Sequence, residues 1–62
     1  MKHYVVLSEG SNARHVIGVF CTHEKAYKHA KEYIKKREHL PYYPYCVIEE
    51  WSNDVITNRE RF

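Results

Sequence analysis

Residues 22–38 read THEKAYKHAKEYIKKRE, and this stretch decides the fold. Ala26, Ala30, Tyr33, Ile34 and Arg37 follow one another at spacings of four, three, one and three. A helix turns once every ~3.6 residues, so these spacings gather the five side chains into one stripe. Most of the lysines fall outside it. Thr22 stands where an N-cap belongs, its hydroxyl placed to accept from the free amides of the first turn. Glu24 suits the positive end of the helix dipole, and Lys35, Lys36 and Arg37 suit the negative end. Pro41 cannot extend the helix and restrains the residue before it. The pattern predicts one amphipathic helix over residues 23–38. Its two alanines let the backbone come close to whatever it covers.

What it covers is read from the flanks. Residues 3–8, His-Tyr-Val-Val-Leu-Ser, are β-branched and aromatic and read as a strand. Glu9-Gly10-Ser11-Asn12 is a cluster of turn formers. Residues 14–21 read as a second strand, joined to the first as an antiparallel hairpin. Gly18 inside it suggests a bulge or a close neighbour. After the helix, residues 39–44 with Pro41 and Pro44 are an extended connector. Residues 45–51, Tyr-Cys-Val-Ile-Glu-Glu-Trp, read as a third strand. Ser52-Asn53-Asp54 is a turn, Val55-Ile56-Thr57 suggests a short fourth strand, and residues 58–62 are expected to fray. The fold class is therefore α+β: a three- to four-stranded antiparallel sheet, ββαβ with a possible short fourth strand, and one helix on one face.

Length and composition limit what such a domain can do. Sixty-two residues make a single small domain spanning 1–62, which buries only ~60% of its unfolded surface. There is no room for a deep cleft built from several layers. A hydrophobic fraction of 44% argues against disorder. The net charge is +2, but residues 23–38 carry six Lys/Arg against three Glu, so the basic character sits on the helix. Two cysteines are too few for the disulfide framework of a small secreted domain. Both are expected to be buried hydrophobes. The N-terminus lacks a signal-peptide core, and no run reaches the ~20 apolar residues of a membrane span. The expected compartment is a reducing cytoplasm.

Side chains alternate across a sheet. Alternation assigns Val5, Leu7, Ile17, Val19, Cys21, Cys46 and Ile48 to the helix side. It assigns Tyr4, Val6, Val16, Phe20, Tyr45, Val47 and Trp51 to the far side, where the sequence offers no cover. Soluble monomers rarely leave so large an apolar patch bare. Taken together, Tyr4-Val5-Val6-Leu7, the junction Ile17-Gly18-Val19-Phe20-Cys21-Thr22-His23-Glu24-Lys25-Ala26 and Val47-Ile48-Glu49-Glu50-Trp51 resemble short phage and bacterial proteins of unassigned function. The resemblance spans most of residues 4–54 and implies a strand, strand, helix, strand order. It implies no catalytic residues.

No constellation points to catalysis. His3, His15, His23, His29 and His39 include no helical i,i+4 pair, and no Cys-x-x-Cys accompanies them, so no metal site is expected; the nearest approach is His3 facing His15 across the hairpin. Glu49 and Glu50 are adjacent in a strand and point to opposite faces, so they make no carboxylate pair. Cys21 precedes a helix N-terminus with His23 close by, yet lacks an orienting third group. No cofactor is expected and the chain does not read as an enzyme. The reading is a protein-interaction module, a phage- or mobile-element-encoded regulator or inhibitor that binds a larger protein or forms a homodimer. The expected contact residues are Tyr4, Val6, Phe20, Tyr42, Tyr43, Tyr45, Val47 and Trp51, aromatic anchors being the usual carriers of binding energy. The alternative is a nucleic-acid accessory protein using Lys25, Lys28, His29, Lys35 and Lys36 on the helix.

Overall fold

The computed structural model describes residues 1–10, 14–38 and 45–61. They run β1 (Lys2–Glu9), β2 (Arg14–Phe20), α1 (His23–Arg37), β3 (Tyr45–Ser52) and β4 (Val55–Arg61). All pairings are antiparallel, in the spatial order β2-β1-β3-β4. α1 lies over β1, β2 and β3. It carries the chain across β1, which is why β1 sits between the two strands that flank the helix in sequence. Thr22 caps α1 as its position suggests, Oγ1 accepting from the Lys25 amide at 3.3 Å. The helix stripe faces the sheet as the spacings require.

The core is Val6, Ala26, Ala30, Cys46 and Ile48, with Tyr4, Ile17, Phe20, Tyr33 and Ile34 packed around it. Both alanines are fully buried. They let α1 settle on Val6 and Ile48, which pair across β1 and β3.

This register corrects the face assignment on two strands. Tyr4, Val6 and Phe20 lie on the helix side, not the far side, and Val5, Leu7 and Val19 take the far side. The reason on β1 is that Tyr-Val-Val-Leu has no polar alternation, so either phase is acceptable to the strand alone. Pairing with β3 chooses, because Cys46 and Ile48 carry the small apolar side chains that fit under the alanines. On β2 the reason is a bulge. Val6 pairs with Gly18 and Leu7 with Val16, leaving Ile17 as an extra residue. An extra residue shifts the alternation by one, so Ile17 and Phe20, three apart, both reach the core.

Gly18 is required at this point. A β-carbon there would lie 2.6 Å from the Phe20 ring and 3.4 Å from His29. The absent side chain is the space those two rings use.

β4 extends to Arg61 and is not a three-residue stub with a frayed tail. Asn53 and Asp54 have φ of 50° and 68°. Two left-handed residues in a two-residue loop make the turn whose twist matches a β-hairpin. The polar end of β4 stays in the sheet because Arg59, Glu60 and Arg61 all have partners on other elements.

The cysteines differ. Cys46 is fully buried, its thiol donating to the Ala30 carbonyl at 3.8 Å, and burial pushes that thiol up from its ordinary range. Cys21 is exposed, contrary to the expectation that both are buried. It follows the last residue of β2, so no strand partner covers it. A disulfide reagent should therefore label Cys21 at the rate of an open thiol and Cys46 only as fast as the domain unfolds. Labelling of native protein beside a Cys21→Ser variant checks this; rapid labelling of the variant would contradict the packing. Among the described residues, no helix is long and apolar enough to cross a membrane.

Candidate functional site: the open face of the sheet

The register lays out the sheet face opposite α1 in rows. Arg14 stands across from Glu9, and Glu9 from Tyr45. The next row is Val16, Leu7, Val47 and Arg61. The third is Val19, Val5, Glu49 and Arg59. The last is His3, Trp51 and Ile56. Val16 and Val19 thus occupy the β2 edge with Arg14, Arg59 and Arg61 the β4 edge, and two glutamates stand between them.

The glutamates are nearly covered, each 8% exposed. A carboxylate so placed requires charged partners, and it has them. Arg14 Nε reaches Glu9 Oε2 at 2.7 Å. Arg59 spans both acids, Nη2 to Glu9 at 3.2 Å and Nε to Glu49 at 3.5 Å. The Trp51 indole N–H donates to Glu49 at 3.2 Å. Arg61 Nη2 donates to the Tyr45 hydroxyl at 2.8 Å, its guanidinium 4.3 Å from the centre of that ring. A depression of about 500 Å³ opens here, lined by Glu9, Arg14, Tyr45, Val47, Arg59, Glu60 and Arg61.

Electrostatics follow from these contacts. The Tyr45 hydroxyl beside Glu9 does most to hold its carboxyl below the usual glutamate range, aided by Arg14 and Arg59 against the opposing effect of burial. Glu50, on the helix side, is also lowered, chiefly by its hydrogen bond to Lys2. A carboxyl lowered on folding adds stability above its unfolded pKa, and that stability is lost as pH falls through the folded value. The melting temperature should therefore stay flat down to the ordinary glutamate value of 4.5 and fall below it. A Glu9→Gln, Glu50→Gln double variant should show a shallower fall. Melting curves between neutral pH and strong acid test this; an identical acid slope in the double variant would contradict it.

The structure places the sequence-derived contact residues in three groups. Tyr45, Val47 and Trp51 lie on the open face. Tyr4, Val6 and Phe20 do not, being on the helix side. Tyr42 and Tyr43 lie outside the described residues. Glu9, Arg14, Arg59 and Arg61 belong to the site and were not read from sequence. Glu9 looked like a turn former, and the arginines of β4 looked like a solvated tail. The usable signal was the alternation of Arg59 and Arg61 across the turn from Glu49 and Val47.

On the helix, Lys25, Lys28, Lys35 and Lys36 are exposed, but His29 is not part of that surface. Its ring packs on Phe20 at 5.1 Å and donates to the Ile17 carbonyl at 3.2 Å. His29 therefore stabilises the bulge. His23 bonds Glu60 at 2.5 Å and stacks on Tyr27, tying the helix start to β4. His3 and His15 do not face each other: His3 pairs with Trp51 on the open face and His15 with Ser8 on the helix side. No group of three metal-ligating side chains occurs among the described residues. Glu49 and Glu50 do point to opposite faces, as the strand period requires. No family model, curated protein or solved structure matches this chain.

Proposed function

We propose that this chain is a non-enzymatic docking module whose open sheet face holds an acidic segment of a larger protein. The observation that carries the reading is that face itself. Among the described residues no helix or strand packs on it; its centre, Leu7 and Val47, is only 6% and 2% exposed, but Val16 and Val19 stand 61% and 58% exposed along β2 with Arg14, and Arg59 and Arg61 line the opposite edge. Apolar side chains that water would otherwise hydrate gain by docking, and cations at the margin select the partner and speed its approach.

A second copy of the chain is the weaker occupant on two grounds. The face carries Arg14, Arg59 and Arg61 against Glu9 and Glu49, so like would meet like. Four strands ~4.8 Å apart and about seven residues of ~3.4 Å rise give a face of roughly 450 Å². Stable interfaces bury about 800 Å² on each partner, so flat self-association would be weak. An acidic partner meets the charge requirement and can reach beyond the sheet. Nucleic-acid binding through the helix loses one of its five residues with His29, and Glu24 and Glu32 interrupt the remaining surface.

The test is site-specific photo-crosslinking in cells that express the protein, with the crosslinker at Val19 or, separately, at Lys28. The expected result is a protein adduct from Val19. The purified partner should then bind a Val16→Asp, Val19→Asp double variant at least about tenfold more weakly, a loss of ~1.4 kcal/mol. Lys28→Asp should bind within about twofold of the parent. Both valines are solvent-exposed, so the double variant should fold. Adducts only from Lys28, or full affinity in the double variant, would overturn the reading.

A further inference from the structure

We infer that the outer edge of β2 takes the partner's segment as a fifth strand, and that this segment alternates apolar and acidic residues. The inference rests on the docking reading above and names how the partner binds and what it presents.

The sheet has two edges, β2 and β4. An edge strand leaves a row of N–H and C=O groups without ladder partners, and proteins ordinarily guard it with charge, proline, a bulge or a covering element. β4 is guarded by charge, with Arg59, Glu60 and Arg61 along its second half. β2 has Arg14 at its start and no proline. Its guard is the bulge at Ile17, and that bulge does not prevent pairing. β1 is a regular strand there, and it crosses the bulge by setting Leu7 against Val16 and Val5 against Val19. A strand on the outer side of β2 can meet the same two valines with residues two apart.

The apolar surface lies where such a strand would use it. Val16 and Val19 are the most exposed apolar side chains of the open face, whereas Leu7 and Val47 at its centre are covered. A segment laid over the centre would bury little apolar area. An added strand stands ~4.8 Å from β2, which brings its open-face side chains directly beside the two valines. Main-chain hydrogen bonds then supply affinity, and alternate side chains supply specificity.

The other side of the added strand lies along the flank of α1. His29 marks that flank, its ring against Phe20 and bonded to the Ile17 carbonyl. Lys25 stands four residues before it and Lys36 seven after, so the helical period places all three on one stripe. Both lysines are exposed, and neither forms an ion pair among the described residues. Glu32 lies beside the stripe and leaves it positive. Acidic side chains on this side of the segment would meet the lysines, and basic ones would be repelled. Because side chains alternate across a strand, the segment carries apolar residues toward the open face and acidic residues toward the helix.

The probe is an acetylated and amidated peptide as long as β2, seven residues, that alternates valine and glutamate. It is titrated into the isotope-labelled protein and followed by amide resonances and hydrogen exchange. Saturable shifts centred on residues 14–20 are expected, with slowed exchange of the β2 amides that turn outward. A peptide alternating valine and lysine should produce neither. A Lys25→Glu, Lys36→Glu variant should bind the valine–glutamate peptide about tenfold more weakly while keeping the native spectrum elsewhere. Shifts centred on β4, unchanged exchange of the β2 amides, equal binding of the lysine peptide, full affinity in the variant, or no saturable shift up to about 5 mM would each overturn strand addition. Failure of the docking reading is separate. It appears as a protein partner indifferent to the Val16→Asp, Val19→Asp change, whatever the peptide does.

Discussion

Ala30→Asp leaves this chain unfolded at room temperature. Ala30 has no exposed surface, and the Cys46 thiol sits against its carbonyl. It packs with Val6, Ala26 and Ile48 in the small core. A carboxylate introduced there has no cation in that cluster to meet it. Burying an unpaired charge costs several kcal/mol even after the protein relaxes. A core of this size supplies only ~3–5 kcal/mol in total. The cost and the reserve are of the same order, so the cooperative melt should disappear together with the near-ultraviolet signal of the packed aromatics. Lys28→Asp, on the exposed side of the same helix, should melt within a few degrees of the parent. A parent-like melt for Ala30→Asp would mean that the helix does not bury this face.

Arg59→Leu should produce the second largest loss, and a partner substitution should recover much of it. Among the described residues, Arg59 is the one cation shared by Glu9 and Glu49. Leucine keeps the bulk but leaves Glu49 with a single donor, the Trp51 indole. An acid left without its partner costs more than the pair contributed. At neutral pH the melting temperature should fall by about 5–10 °C, a large shift for so small a domain. Adding Glu49→Gln to Arg59→Leu should restore much of that fall, because the two sites act through one contact and their effects do not add. The fall should also shrink in acid, as pH drops through the lowered pKa of Glu9. Melting the parent, both single variants and the double variant closes the cycle. An undiminished loss in the Glu49→Gln background would show that Arg59 acts by packing alone.

The two predictions differ in how far the sequence foresaw them. Ala30 was legible because a helix imposes its own period: every residue of α1 has its face set by its neighbours in the chain. The third strand was legible for a related reason. Cys46 and Ile48 alternate with Tyr45, Val47 and Trp51, and the two sets differ enough in size to identify the side under a close-packed helix. Arg59 was not legible. Its partners are Glu9, fifty residues away, and Glu49, across a turn. Its alternation with Arg61 across the turn from Glu49 and Val47 hints at a strand, but nothing in chain order marks Glu9 as its partner.

By itself the sequence determined one helix, where it begins, the side it buries, and that the rest of so short a chain must form a sheet beneath it. Those properties depend on local periodicity and on end groups such as Thr22, which act over a few residues. The tertiary structure alone decided which way β1 faces, that Ile17 is an extra residue in β2, and that β4 runs on to Arg61. Each of these is a question of register. A strand of uniformly apolar residues accepts either phase, and a bulge reverses the phase partway along, so only the partner strand resolves them. The cluster of Arg14, Arg59 and Arg61 with Glu9 and Glu49 is the result, because strand pairing brings together charges that chain order keeps apart.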